Sequence, residues 1–379
     1  MTVTLIKNEL FKQGGLEKYT WQIARDFCSM KIPVTLLTSG APTPPFSSPS
    51  LQIVSLPVRH RLSYLSVHHF DKACDEYLSQ HPTPIVFSLD RNRFQTHLRA
   101  GNGVHAAYLK RRSAEEGFTK KLSFHLNPLH QILLSLEKKA FEHPRLKILF
   151  TNSEMVKQEI LEHYKTDPQK IQVVRNGVEW EAMQKPFDLW EESRGRQLKE
   201  FHLNPSAFQF LFIGHNFQRK GLHKLLYALS FIKNENFELS VVGKDKNLHD
   251  FQQLVRKLGL SNKVFFFGAQ EHPLPFYQMA DTLVIPSIYD PFANVTIEAL
   301  AMGLFTLSSK HNGGHEILTP QNGATIPNLN DPAAFSTLLK HTLSHPKTRP
   351  RAEAVRQSVK HLDFSHQLRL LTQATLDSL

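Results

Sequence analysis

Short apolar runs alternate with stretches of helical period along most of the chain, and that alternation predicts parallel sheets flanked by helices. In the first half, residues 3–6, 33–38, 51–56, 85–89, 147–151 and 171–174 predict strands. Leu16, Ile23 and Phe27 recur at helical spacing after Gly14 and Gly15, and Ser153 is placed to cap a helix running to about Tyr164. The alternation restarts with 208–213, 239–242, 264–267, 282–285 and 305–308. Between the halves, residues 179–204 are polar and charged without a strand pattern and read as a linker. From Asp331 the chain reads as helical, and a last segment near 364–379 is placed to pack back across the linker. The expected organisation is α/β: a Rossmann-like domain over 1–185, a second over 186–360, and a C-terminal helix in 361–379 returning to the first. Two such bodies predict a ligand cleft between them.

Composition narrows the class. The 379 residues are 41% hydrophobic, enough for large cores, and a prior of about 100–200 residues per domain favours two domains. Cys28 and Cys74 are too few for a disulfide framework and lack metal-ligand spacing, so a reducing cytoplasm is expected and zinc is not indicated. The N-terminus reaches charge too early for a signal peptide, and no apolar run approaches the roughly 18 residues of a membrane span. A soluble or peripheral protein is expected. The net charge of +11 is concentrated: between residues 91 and 147 there are 12 Lys and Arg against 4 Asp and Glu. That surplus implies an anionic partner, whether phosphate, an acidic membrane surface or nucleic acid.

The strongest candidate chemistry lies at residues 286–303. The apolar run 282–285 ends at Pro286, and Asn294 is placed to cap a helix that begins at Val295 and carries Glu298 one turn in, with Asp290 in the preceding loop. Two acids spaced across a strand-loop-helix unit can face the crevice outside the carboxyl ends of the strands, where open α/β sheets bind ligands. Such a pair suits sugar hydroxyls. Upstream, the strand 208–213 runs into Gly214, then Arg219 and Lys220. Gly214 allows a close turn, and adjacent cations suit a diphosphate and the charge that grows on it as it leaves. An Arg-Lys pair is usually a solvated turn. The ligand role is favoured because the pair and the two acids sit on strand-end loops of one sheet.

In the first half, Gly14 and Gly15 stand between the first strand and the first helix, where backbone can approach a ligand and helix N–H groups are open to an anion. A tight turn explains a lone Gly-Gly equally well. The Gly-x-Gly-x-x-Gly fingerprint of nicotinamide sites is absent. His105 follows Gly101 and Gly103; a lone histidine at a helix start is more often structural than catalytic, and the flanking glycines bring the two readings level. After it, Lys110, Arg111, Arg112, Lys120 and Lys121 interleave with apolar residues such as Phe118, Phe124, Leu126 and Leu133. This is either an amphipathic helix with a solvated basic face or an interfacial surface for an anionic leaflet, and the local charge surplus favours the second. The patch carries no nucleic-acid motif.

Taken in order, GGLEK at 14–18, GNGVH at 101–105, Asn152 with Ser153, NGV at 176–178, residues 214–221 and the Asp290/Glu298 unit resemble glycosyltransferase family 4 over nearly the whole chain. The resemblance implies a GT-B fold and a retaining, metal-independent hexosyl transfer from a nucleotide sugar, with no cofactor beyond that co-substrate. Within the family, the region from Arg99 through His105 and its basic continuation is similar to glucosyltransferases that act on the first heptose of the lipopolysaccharide inner core. This implies UDP-glucose as donor and a lipid-linked saccharide as acceptor. It also implies an anionic membrane surface as partner, no nucleic acid, and a peripheral place at the cytoplasmic membrane face. By position, the resemblance puts His105, Gly15 and Asp290 nearest the reacting centre, with Gly14 and Gly214 beside the donor. Arg219 and Lys220 would bind the diphosphate, Glu298 the ribose hydroxyls, and Asp290, Phe292, Ala293 and Asn294 would line the sugar, partly through backbone N–H groups. The chain departs from the family twice: Asp290 stands where Glu is usual, and Ala293 where Gly is common, so the backbone there must avoid positive φ. Two other readings stay open, a nucleotide-sugar 2-epimerase of the same fold and a non-catalytic membrane- or polyanion-binding protein.

Overall fold

The computed structural model describes residues 1–10, 15–58, 63–116, 123–124 and 126–379. It divides into two compact units, Met1–Arg175 with Ser365–Leu379, and Asn176–Phe364. The first unit runs β1 (Val3–Ile6), α1 (Gly15–Ser29), β2 (Val34–Thr38), β3 (Leu51–Ser55), α2 (Ser63–Gln80), β4 (Ile85–Ser88), β5 (His97–Arg99), α3 (His105–Glu116), α4 (Pro128–Phe141), β6 (Ile148–Thr151), α5 (Glu154–His163) and β7 (Ile171–Val173). The second runs α6 (Gln184–Asp188), α7 (Trp190–Glu200), β8 (Phe208–Ile213), α8 (Leu222–Ser230), β9 (Phe237–Val242), α9 (Leu248–Lys257), β10 (Val264–Gly268), α10 (Leu274–Met279), β11 (Thr282–Ile285), α11 (Asn294–Ala301), β12 (Phe305–Ser309), β13 (Gly323–Ile326), α12 (Pro332–Leu343) and α13 (Arg349–Gln357). The final helix, α14 (Phe364–Asp377), returns to the first unit.

Both sheets are parallel and doubly wound, in the orders β3-β2-β1-β4-β5-β6-β7 and β10-β9-β8-β11-β12-β13. Strands β1, β4, β6, β8, β9 and β11 are buried along their whole length, as expected for strands covered on both faces. Two strands escape the apolar-run criterion. β5 is three residues long and carries His97 and Arg99 into the interior. β13 begins on Gly323, where a Cβ would meet the Thr306 carbonyl oxygen at 2.3 Å, so close pairing with β12 demands glycine there.

Residues 179–204, read as a linker, fold into α6 and α7. The buried positions of α7 are Trp190, Ser193, Gln197 and Leu198, which keep helical spacing but fill half of it with polar side chains that pack inward. Gln197 Nε2 donates to Gln278 Oε1 at 2.5 Å, and with polar residues at two of its four buried positions the helix shows no apolar pattern in sequence. The break between units falls after Arg175, ahead of the 185/186 boundary read from sequence. The reason is the Val178–Asp363 bridge: Val178 N–H donates to Leu362 O at 3.0 Å and Phe364 N–H to Val178 O at 2.8 Å. Gly177 makes that approach possible, since a Cβ on it would lie 2.4 Å from Phe364 Cα.

Helix α14 is held on the first unit by Thr372, whose hydroxyl donates to Asp26 at 2.7 Å, and by Ser378, whose hydroxyl meets His97 Nε2 at 2.8 Å. His97 is fully buried beside Phe87. Burial, aided by the charge of Lys147, pushes its pKa from 6.5 down to about 4. The unfolded chain therefore binds this proton at a higher pH than the folded chain does. The stability that neutral His97 contributes is complete above pH 6.5 and is lost as pH falls toward 4. At 1.36 kcal/mol per pH unit the window spans roughly 3 kcal/mol. His97→Gln can keep the bond to Ser378 without titrating, so it is expected to flatten the fall in melting temperature across that window; an unchanged slope would contradict the assignment.

Candidate functional site

In the second unit the strand order reverses between β8 and β11, and the loops leaving their carboxyl ends carry the predicted residues. Gly214 follows β8, its N–H bonded to Val242 O at 2.9 Å, and a Cβ on it would press on Lys220 Cγ at 3.0 Å. The glycine thus leaves room for the Lys220 stem. Gly221, at φ +76°, ends the loop, and a Cβ there would lie 1.9 Å from the Pro286 carbonyl oxygen. Ile288 N–H then donates to Arg219 O at 2.8 Å. The two loops meet because glycine permits the contact and a backbone hydrogen bond fastens it.

That contact brings Arg219, Lys220 and Asp290 together. Lys220 Nζ donates to Asp290 Oδ2 at 2.7 Å, and Arg219 donates to the same oxygen at 3.5 Å and to Tyr289 O at 3.3 Å. Lys220 and Asp290 are both buried. The sequence reading set Asp290 on the sugar and the cations on the diphosphate; in the structure the acid is a counterion shared by both cations. Two cations and one carboxylate leave one net positive charge. The first unit repeats the arrangement at its own strand reversal, where Lys7 after β1 pairs with Asp90 after β4 at 3.1 Å.

Helix α11 does not start as expected. Asn294 is its first residue rather than its cap, and Asn294 Oδ1 instead accepts from Asn176 at 2.6 Å. Ala293 holds the cap position without a side-chain cap; the fully buried Asn312 ties that residue in place, its Oδ1 accepting from Ala293 N–H at 2.9 Å and from Gly314 N–H at 3.1 Å. Its Nδ2 donates to Ser308 and Thr296, so all polar atoms of the amide are engaged. Ala293 has φ −70°, an ordinary extended conformation that alanine tolerates in place of glycine. The Phe292 side chain is buried in an apolar cluster with Val178, Trp180 and Ile297, which leaves its backbone as the part that could meet a ligand. Glu298 lies one turn into α11, and Tyr277 OH donates to its Oε2 at 2.7 Å. Burial, the Glu298 charge and this bond together hold the Tyr277 phenol well above its usual range, so it remains a donor.

In the first unit, Gly15 is the exposed first residue of α1, and His105 is the first residue of α3. Gly103, at φ +70°, turns the chain into that helix. The fully buried Glu137 of α4 closes its N-terminus, accepting from His105 N–H at 2.8 and 2.9 Å and from Ala106 N–H at 3.3 Å. Arg91 and Tyr164 complete the carboxylate's partners at 2.7 and 2.6 Å. Burial acts to raise the Glu137 pKa, but Arg91 and these hydrogen bonds outweigh it and hold the carboxyl below its ordinary value. His105 Nε2 meets His130 Nδ1 at 3.1 Å. Burial, followed by the charge of Arg91, lowers the His105 pKa to about 4 and leaves the ring neutral.

The basic segment is less free than its composition suggests. Lys110 pairs with Glu162 and Arg111 with Glu159, both at 2.6 Å. These acids lie on α5, outside the window in which the charge surplus was counted. Arg112 stacks over Phe124 at 4.7 Å. Gly14, Lys120 and Lys121 lie outside the described residues. Among the described residues, no helix is long and apolar enough to cross a membrane.

The chain matches the family model Glycosyltransferase Family 4 over residues 13–181 and the model Glycosyl transferases group 1 over 193–358. Together the two models span most of the chain and mark it as a glycosyltransferase with a Family 4 domain followed by a group 1 domain. It is 29% identical over 177 residues to an uncharacterized glycosyltransferase of Methanocaldococcus jannaschii, a match covering 45% of this chain and 44% of that protein. The chain thus spans less than half the length of that relative. To the lipopolysaccharide glucosyltransferase WaaG of Escherichia coli it is 22% identical, over 86% of this chain and 85% of WaaG. A crystal structure of WaaG has a TM-score of 0.76 to this chain at 21% identity, covering 98% of each. Anabaena HepE, solved with UDP-glucose, has a TM-score of 0.70 at 15% identity, covering 100% of each chain. These structures establish the GT-B architecture of two Rossmann-like domains.

Within this glycosyltransferase, the candidate residues legible in sequence are those that stand out by glycine or charge clusters. Tyr277, Asn312, Glu137, His130 and Arg91, which contact those residues or each other in the structure, do not stand out in that way. Asn312 alone left a signal, standing directly before Gly313-Gly314 as a polar residue in a turn.

Proposed function

We propose that the enzyme transfers glucose from UDP-glucose, with retention and without a metal ion, to a lipid-linked saccharide of the lipopolysaccharide-core type at a membrane surface. The observation that carries this reading is the Arg219–Lys220–Asp290 cluster at the β8/β11 strand reversal, with Glu298 one turn into the adjoining helix. Arg219 and Lys220 hold the donor diphosphate and stabilise the charge it gains as the sugar leaves. Asp290 keeps both cations in place and, beside the diphosphate they hold, accepts from a sugar hydroxyl of the donor. Glu298, oriented by Tyr277, accepts from the ribose hydroxyls. Attack by the acceptor hydroxyl on the face the diphosphate leaves retains the anomeric configuration, and the departing phosphate oxygen takes the hydroxyl proton. The likeness to WaaG and to HepE with UDP-glucose supports the choice of donor and acceptor class.

The exposed Leu126 just ahead of α4 supports a weak membrane contact. Arg219→Ala and Glu298→Ala test the site with labelled UDP-glucose, measuring both transfer and donor hydrolysis. Each is expected to lower turnover by about tenfold or more. Full activity in both variants would remove the diphosphate and ribose assignments, and conversion of the donor to an isomer without acceptor would replace transfer by epimerisation.

A further inference from the structure

The ring pair His105–His130 bears on how His105 meets its substrate, given the reading that places His105 beside the transferred sugar. His105 Nε2 and His130 Nδ1 are 3.1 Å apart, and one proton must lie between them. If His105 is the donor, its proton is on Nε2, and His130, accepting on Nδ1, also carries its proton on Nε2. If His130 is the donor, both rings must carry their protons on Nδ1. Neutral imidazole side chains in water favour the Nε2–H form, so the first arrangement gives both rings their preferred tautomer and the second gives neither. Protonation of both rings would leave two donors facing each other. Burial opposes it as well, lowering the pKa of each ring, with the charges of Arg91 and Arg112 acting in the same direction.

We infer that His130 is a positioning residue that fixes His105 in its Nε2–H tautomer, so that His105 presents a lone pair on Nδ1 and recognises its substrate by accepting a hydrogen bond from a hydroxyl. Several groups hold the geometry. Glu137 anchors the His105 backbone, Phe124 packs edge-on against His130 at 5.7 Å, and Tyr108 lies beside His105 at 6.0 Å. Among the described residues, His130 is the sole ring partner of His105 within hydrogen-bond distance. The consequence is a specificity rule. A sugar whose hydroxyl at that place is removed or methylated loses its donor, whereas a substrate offering only an acceptor there is rejected by lone-pair repulsion.

The test uses nitrogen-15 chemical shifts of the imidazole rings in the full chain, together with steady-state kinetics. In the wild type, His105 is expected to show a protonated Nε2 and an unprotonated Nδ1 at neutral pH. His130→Ala is expected to mix the two tautomers and reduce kcat/KM by about tenfold. His130→Asn places an amide oxygen where Nδ1 stood and is expected to restore both the tautomer and most of the rate. A His105 ring protonated on Nδ1, or one whose tautomer ignores the His130→Ala change, overturns the proposal. If the tautomer follows His130 in all three proteins while His105→Ala leaves transfer intact, the pairing stands and the placement of His105 beside the sugar fails instead.

Discussion

Replacing Lys220 by alanine is expected to cut donor-dependent turnover by about 10²–10³-fold, the usual cost of removing one preorganised donor from a developing negative charge. The size follows from where Lys220 sits. Its side chain is largely buried under Gly214 and 2.7 Å from Asp290, so no solvent-mobile cation can take its place. Removing it also leaves Asp290 buried beside Arg219 alone, which adds a stability loss to the catalytic one. Comparison of Lys220→Ala, Asp290→Asn and the double variant separates the two. Asp290→Asn keeps both cations and should weaken catalysis through their placement. The double variant should recover melting temperature relative to Lys220→Ala without recovering turnover. Recovery of turnover in the double variant would mean that Lys220 serves only to neutralise Asp290.

Glu137→Leu is expected to destabilise the first unit by about 3–5 kcal/mol, the range for stripping a buried ion pair of one partner. Four groups lose their acceptor at once: Arg91 Nε, the N–H groups of His105 and Ala106, and the Tyr164 hydroxyl. Glu137→Gln keeps the shape and one oxygen acceptor but removes the charge that Arg91 and the helix N-terminus favour, so an intermediate loss is expected. Chemical denaturation, read alongside hydrogen exchange of α3 and α4, checks both. An unchanged denaturation midpoint in Glu137→Leu would show that the carboxylate network contributes nothing net. The same variant should also disturb the start of α3 and with it the His105 ring, so its activity loss is expected to exceed that of His130→Ala.

Much of this architecture is legible in the sequence because a parallel sheet buried on both faces writes continuous apolar runs. β1, β4, β8 and β11 are such runs, and their order along the chain suffices to predict two doubly wound bodies. Segments that reach the interior with polar side chains are not legible in this way. α7 buries Ser193 and Gln197, β5 buries His97 and Arg99, and their satisfaction depends on partners remote in sequence. The candidate site shows the same division. Gly214, Arg219, Lys220, Asp290 and Glu298 stand out by residue type and spacing. Their pairing does not, since the meeting of Lys220 with Asp290 follows from β8 lying next to β11 and from Gly221 letting two loops touch. The expected cap of α11 is absent for a related reason: Asn294 is the right residue type in sequence, but it is the helix's first residue and its side chain is engaged by Asn176, which is remote in sequence. The basic segment overstated its free charge because Glu159 and Glu162 come from a later helix.

Under the proposed function the second unit binds a nucleotide sugar through Arg219, Lys220 and Glu298. The most direct test of that binding is thermal stabilisation of the full chain across a panel of nucleotide sugars, with the Lys220→Ala variant alongside. A ligand at about 100 times its Kd stabilises the folded state by about 2.7 kcal/mol. UDP-glucose is predicted to raise the wild-type melting temperature by several degrees and to leave that of Lys220→Ala nearly unmoved. A wild-type melting temperature indifferent to every nucleotide sugar, or an equal rise in the two proteins, would rule out nucleotide-sugar binding through Lys220.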